Sequence, residues 1–138
     1  MNEIDSSGLI TIFDGAVADG AGTSINVEGY EKIFLQLGSA NDAATDPANL
    51  TIKFVGSMSN AAPTFSAARS VTNNFEYIDV LDLQDGASID GDTGIAFAAA
   101  NDIRNLEINL GGLRWINAVI SSYVAGALTL KVLGLTHN

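Results

Sequence analysis

The stretch WINAVISSYVAGALTLKVLGL (residues 115–135) indicates the fold of this chain most directly. In its second half Leu128, Leu130 and Val132 alternate with polar residues. An alternation with a period of two buries one face of a β-strand and leaves the other face in water. Between the two apolar runs lies Gly126, which can take the positive φ that a hairpin turn needs. The stretch therefore predicts two antiparallel strands joined by a tight turn.

The same rhythm recurs along the 138 residues, where short alternating runs stand between clusters of Asn, Asp, Gly and Ser. This is typical of all-β proteins. Residues 95–110 also fit helical spacing, but the alternation at their end favours strand, turn, strand. The long connections are 38–49 and 61–74, and the second has room for a helical turn. The predicted strands are 9–13, 24–27, 32–37, 50–56, 75–83, 95–98, 106–110, 115–124 and 128–135.

These strands fit one compact domain. A chain of this length with 47% apolar residues buries a sizeable core and has the usual size of a single domain. Short strands with two long crossovers match a Greek-key sandwich better than an immunoglobulin-type fold. We therefore predict an all-β, single-domain antiparallel β-sandwich, and within that class a jelly roll of about eight strands. Residues 1–14 would form an N-terminal arm and first strand, and residues 15–138 the sandwich.

Composition argues against several classes of function. The chain has 16 acidic and 6 basic residues, and its net charge of −10 opposes binding to nucleic acid or to an anionic membrane. It has no cysteine, so disulfides and thiolate metal sites are excluded. The first eight residues show neither the basic nor the apolar region of a signal peptide, and no apolar run approaches the roughly 20 residues of a membrane span. We expect synthesis in a cytosol.

The segment DLQDGASIDGDTG (residues 82–94) has the highest concentration of carboxylates. Calcium binds six to eight oxygens on a loop that can wrap around it. The spacing of these aspartates differs from that of an EF-hand, and the two Asp-Gly pairs are also ordinary turn dipeptides. A weak calcium site and a pair of turns both remain open, with the turns favoured. The carboxylates belong to Asp82, Asp85, Asp90 and Asp92.

Candidate catalytic residues are few. The single histidine, His137, is next to the last residue and is expected in a frayed tail, which argues against catalytic triads. A glycosidase needs only two carboxylates, and Glu76 with Glu107 would be the pair. Mid-strand glutamates, however, usually mark the solvent face of a strand. We therefore predict that the protein is not an enzyme.

The aromatic residues leave a second class of function open. Trp115 is the single tryptophan and lies in a predicted central strand. Together with a nearby tyrosine it could stack against a sugar ring, as in a carbohydrate-binding module or the receptor-binding part of a phage fibre. A role in the core is the favoured interpretation of Trp115 and of the other aromatic residues.

Three segments together resemble a known class of proteins. They are NLTIKFVGSMSNAAPTFSAARS (49–70), FEYIDVLDLQDGASIDGDTGI (75–95) and LEINLGGLRWINAVI (106–120). Their order and texture resemble small β-sandwich structural proteins of tailed-phage virions, of the capsid decoration or cement type. The similarity covers residues 30–135 and includes no catalytic motif.

This resemblance implies a function and partners. The protein would be made in the cytoplasm of a bacterial host, would assemble as a homotrimer and would dock on the major capsid protein at the capsid exterior, where it stabilises the shell. The loop end carrying the long connections and an N-terminal arm would make the attachment. The arm would comprise Met1, Asn2, Glu3, Ile4, Asp5, Ser6 and Ser7.

Overall fold

The computed structural model describes residues 2–3, 10–41 and 47–137, with residues 2 and 3 as backbone alone. These residues include no helix that is long and apolar enough to cross a bilayer. Their strands are β1 (Asn2–Glu3), β2 (Thr11–Ala16), β3 (Gly20–Ala21), β4 (Ile25–Asn26), β5 (Tyr30–Ala40), β6 (Asn49–Ser57), β7 (Glu76–Tyr77), β8 (Val80–Asp82), β9 (Ala87–Ile89), β10 (Ile95–Phe97), β11 (Ile103–Asn109), β12 (Trp115–Ala125) and β13 (Ala127–His137).

The strands form two antiparallel sheets that pack as a sandwich. Sheet A has the order β1-β13-β5-β11-β8-β9, and β2 also pairs with β13. Sheet B has the order β10-β6-β12-β3, with β7 on β6 and β4 on β12. The predicted all-β antiparallel sandwich is confirmed. The described residues contain thirteen strands rather than about eight, and the jelly-roll connectivity stays a prediction.

The core lies between the sheets and follows the period-two pattern. Leu128 and Leu130 are fully buried, whereas Thr129 between them is half-buried. Sheet B contributes Ile52 and Phe54 from β6 to the same core. Because alternate residues of a strand point to opposite faces, this pattern alone determines which side chains leave water.

One predicted strand, residues 75–83, is divided between the sheets. Glu76 and Tyr77 pair with β6 in sheet B, whereas the three residues of β8 pair with β11 in sheet A. The chain crosses at Ile78, whose backbone lies so close to buried Gly91 that an added Cβ would sit 2.7 Å away. The predicted single strand is therefore wrong, because the crossing is enforced by a contact with a distant glycine. Residues 95–110 form strand, turn, strand as predicted.

The register places several loops at one end of the sandwich, which we call the loop end. Ala127 pairs with Ala40, and Ala125 with Asn49, so the turn at Gly126 meets the end of β5 and the start of β6. The pairing of β2 with β13, and of β11 with β5, adds residues 17–19 and 98–102. Residues 83–86 also lie at the loop end, because the N–H of Leu83 donates a hydrogen bond to the carbonyl of Asn105.

The two long connections do not lie at the same end. β5 ends and β6 begins at the loop end. The connection between β6 and β7 leaves from Ser57, which pairs with Trp115 at the opposite end. The expectation that one end carries both long connections is therefore wrong, since β6 separates them and runs the length of the sandwich.

The second long connection, residues 58–75, is a strap that folds over the outer face of sheet B. It buries Phe65 and Phe75 against Val55, with Trp115 and Tyr77 packed beside them in a second, smaller core. It holds no helix. Hydrogen bonds of Asn73 maintain its shape.

Asn73 ties the strap to itself. Its side-chain Nδ2 donates to the carbonyls of Thr64 and Ala68, and its Oδ1 accepts from the Thr64 N–H. Its own N–H donates to the Ser70 hydroxyl. Two buried phenylalanines and one hydrogen-bonded asparagine thus replace regular secondary structure in this segment.

Candidate docking surface

Three of the four aspartate carboxylates in residues 82–94 accept hydrogen bonds in turns or from an ion-pair partner, and the fourth, Asp92, takes part through its backbone N–H. Asp85 Oδ1 accepts the Ala87 N–H at 2.9 Å, and Asp90 Oδ1 accepts the N–H groups of Asp92 and Thr93. Asp82 is buried and its Oδ2 accepts from Arg104 at 2.9 Å. Within the described residues no three acidic or histidine side chains lie close enough together to hold a metal ion. The geometry favours the paired-turn interpretation over a calcium site.

We expect calcium to leave the stability of the protein unchanged. A ligand that binds only the folded state stabilises it by RT ln(1 + [L]/Kd), so the melting temperature rises once the ligand concentration exceeds Kd. Melting followed by circular dichroism in a few millimolar calcium should match melting in the presence of a chelator. A rise of several degrees with calcium, absent in Asp90→Asn, would instead establish a site on this segment.

The two glutamates considered for a glycosidase lie in different sheets. Glu76 is in β7 of sheet B, where its exposed carboxylate pairs with Arg69 of the strap. Glu107 is in β11 of sheet A, where Oε1 lies 2.9 Å from the Lys32 ammonium. The structure places the two carboxylates in different sheets, and each has its own cationic partner.

Trp115 is half-buried beneath the strap. Its ring packs in the second core, and its indole N–H donates to the Asn60 carbonyl at 3.4 Å. A sugar-stacking platform needs an exposed ring face, and the strap occupies part of that space. A sugar that covers the whole ring face of Trp115 would need the strap to move.

His137 is the last residue of β13 and is not in a frayed tail. It pairs with Tyr30, and the centroids of the two rings are 4.4 Å apart. The expectation of a frayed tail is wrong because β5 and β13 stay paired over their whole length.

The N-terminal residues are only partly described. Asn2 pairs with Thr136 and Glu3 with Leu135, so this piece of the predicted arm continues the edge of sheet A along β13. That position is away from the loop end. The predicted boundary between residues 14 and 15 falls inside β2. The other residues of the predicted arm, Met1, Ile4, Asp5, Ser6 and Ser7, lie outside the described residues.

The loop end carries the larger share of the exposed large apolar side chains. Val17 is 56% exposed, Leu83 47%, and Ile103 and Val124 both 66%. Leu83 and Ile103 line one shallow hollow of about 310 Å³. Clustered exposed apolar side chains commonly mark protein–protein contacts, whereas single ones are unremarkable. Sequence reasoning missed this surface, because its residues come from four separate segments.

Three described loop segments of this end are connected by hydrogen bonds and close contacts. Asn101 Oδ1 accepts the N–H of Ala48, and Ala100 donates to the Ala48 carbonyl. Ala48 in turn touches the turn at Gly126, where an added Cβ would lie 2.4 Å from its Cα. Ala99 adopts a φ of 55°, the one positive value for a non-glycine residue in the described ranges. Backbone conformations of this kind cost about 1–2 kcal/mol and persist where surrounding contacts impose them.

The charge of the loop end is negative. Its described acidic residues include Asp19, Asp85 and Asp102, and its one described basic side chain, Arg104, is paired with both Asp82 and Asp102. A partner surface with basic residues around an apolar centre would be complementary.

The fold occurs in proteins of two prophages. The crystal structure of the SPBc2 prophage-derived protein YomS superposes with a TM-score of 0.63 at 9% identity, covering 97% of this chain and 95% of YomS. The PBSX exported protein XepA superposes with a TM-score of 0.67 at 15% identity, covering 98% of this chain. The chain spans 38% of the length of XepA.

At these identities the similarity shows a common fold. It extends over nearly the whole of this chain and of YomS. A comparison with models of protein families finds no match, and a comparison with curated protein sequences finds none either.

Proposed function

We propose that this protein is a non-enzymatic structural protein of a bacteriophage. Its fold matches a prophage-derived protein from end to end, and that observation carries the proposal. The finer assignment is a capsid decoration protein that docks on the major capsid protein at the outside of the particle, as a homotrimer. The resemblance of residues 30–135 to decoration proteins supports it.

The loop end would be the docking surface. It combines exposed Leu83 and Ile103, hydrogen-bonded loops and a negative rim, so a basic capsid surface with an apolar pocket would be the complementary partner. Docking would bury apolar area between neighbouring capsid subunits and so oppose the internal pressure of packaged DNA. This mechanism requires no catalytic group.

Binding to purified particles tests the proposal. Particles would be prepared from the strain that carries the gene and from a strain that lacks it, and purified protein would be added back to the second preparation. Co-sedimentation that saturates, with label on the capsid in electron micrographs, is expected. Absence of the protein from the native particles and of any binding to the depleted ones would overturn the virion assignment.

Two matched variants test the docking surface separately. Leu83→Ser with Ile103→Ser removes the apolar centre without changing charge, and binding is expected to weaken at least tenfold (about 1.4 kcal/mol or more). Val71→Ser is the control, since Val71 is 97% exposed in the strap, away from the loop end. Equal binding by the double variant and the control would show that the capsid contact lies on another surface of the protein. Light scattering of each variant would check that the solution mass is unchanged.

A further inference from the structure

We propose that a hollow on the outer face of sheet A binds a neutral saccharide. The hollow has a volume of about 310 Å³ and lies between β5, β11, β8 and β9. This site is separate from Trp115, which belongs to sheet B, and it does not depend on the proposed virion function. Its lining includes Lys32, Asp79, Leu81, Ser88, Glu107 and Asn109.

The register of sheet A assembles these side chains. Ser88 pairs with Leu81, and Leu81 pairs with Glu107, so the three form one row across adjacent strands. Asn109 pairs with Lys32 in the next row. Directly opposed residues of antiparallel strands share a face and have Cβ atoms about 5 Å apart. Five polar groups, four from three strands and Asp79 from the residue before β8, therefore converge on one small area.

The two carboxylates of the hollow are held in place through one oxygen each. Glu107, whose side chain is 16% exposed, has Oε1 at 2.9 Å from the Lys32 ammonium. Asp79 Oδ1 accepts the N–H of Gly91 at 2.8 Å. A hydrogen bond to Glu107 and the charge of Glu107 raise the pKa of Lys32 above its usual 10.5, so the Lys32 ammonium stays charged at neutral pH. The second oxygen of each carboxylate is then available to accept hydrogen bonds from a ligand.

The remaining polar groups of the hollow supply further hydrogen bonds. Ser88 and Asn109 are both exposed, and in the described residues neither side chain has a hydrogen-bond partner. A serine hydroxyl and an asparagine amide both donate and accept. Together with two carboxylates and an ammonium, they match a ligand that carries several hydroxyl groups.

Charge and apolar area narrow the ligand class. The site has two carboxylates and one ammonium, so its net charge of −1 disfavours anions. A cation would find Glu107 already neutralised by Lys32. Leu81 and Val80 give the hollow an apolar wall, against which the C–H face of a pyranose ring can pack. A neutral sugar carries neither charge and offers a C–H face to the apolar wall, so it fits the hollow best.

Titration followed by two-dimensional NMR tests the site. The probes are methyl glucoside, methyl galactoside, methyl mannoside and N-acetylglucosamine, with N-acetylneuraminic acid as an anionic comparison. At least one neutral probe is expected to shift the amides of Ser88 and Asn109 with a Kd on the order of 1 mM, as for small ligands in shallow sites. The anionic sugar is expected to cause no shift at these amides.

Matched variants locate the binding. Asn109→Ala and Ser88→Ala should each weaken binding about fivefold or more, the effect of losing one hydrogen bond. Asn105→Ala should not, because Asn105 is exposed on the same face of β11 but lines a different hollow. Absence of shifts with every neutral probe, equal loss in Asn105→Ala, or shifts centred on Trp115 would overturn the proposal.

Discussion

Replacing Arg104 with alanine is expected to lower the free energy of unfolding by about 3–5 kcal/mol, the usual result of removing one partner from a buried ion pair. Asp82 is 3% exposed, and its Oδ2 lies 2.9 Å from Arg104 Nη1. Without Arg104 the buried carboxylate would lose its only described cationic partner while keeping one backbone hydrogen bond, from Gln84. Chemical denaturation followed by circular dichroism measures the change.

Two further variants separate charge from packing. Arg114→Ala removes an exposed arginine that lies 3.6 Å from Glu28, and this should cost about 1 kcal/mol or less. Asp82→Asn combined with Arg104→Leu removes both charges of the buried pair and should recover part of the stability lost in Arg104→Ala. A loss in Arg104→Ala no greater than in Arg114→Ala would show that water reaches Asp82.

Replacing Phe54 with alanine is expected to cost about 3–5 kcal/mol of unfolding free energy, whereas Phe75→Ala should cost clearly less. Both rings are buried, at 2% and 5% exposure. Phe54 belongs to the main core between the sheets, so removing its ring destabilises the whole domain. Phe75 anchors the strap, which can open locally while the sandwich stays folded.

The fluorescence of Trp115 distinguishes local opening of the strap from unfolding of the whole domain. Its ring packs under the strap and it is the single tryptophan, so Phe75→Ala should shift the native emission to longer wavelength. Phe54→Ala should leave the native emission unchanged and lower the denaturation midpoint. Equal losses of stability in the two variants, with unchanged emission in both, would show that strap and sandwich unfold as one unit.

The strap also decides how the carbohydrate hypothesis is tested. A sugar that stacks on Trp115 would require the open strap, so Phe75→Ala should strengthen such binding. Binding in the hollow of sheet A should be unaffected by that variant, because Ser88 and Asn109 lie on the other sheet. The two carbohydrate sites are therefore distinguishable with a single substitution.

Local pattern was sufficient for the fold class and for the turns. Alternation in residues 128–132 identifies a strand with one buried face, and this needs no knowledge of its neighbours. The two Asp-containing turns were predictable as well, since Asp85 and Asp90 bond to backbone N–H groups two or three residues ahead. In the second turn, however, the positive φ belongs to Gly94 rather than to Gly91.

Features that depend on the other strand of a pair were not predictable from the sequence. Nothing local distinguishes Asp82 from Asp85, yet Asp82 is buried and paired with Arg104, 22 residues away. Glu107 resembles any solvent-facing strand residue until Lys32 is placed beside it. The division of residues 75–83 between two sheets depends on the packing of Gly91 against Ile78.

By itself the sequence therefore determined an all-β sandwich with a net charge of −10, because periodicity is a property of short segments and charge is a property of totals. The tertiary structure alone decided that the strap covers Trp115, that Leu83 and Ile103 meet at the loop end, and that the polar hollow forms on sheet A. These arrangements depend on strand register and on crossings between sheets. Both are settled by contacts between residues far apart in the chain, which no local pattern encodes.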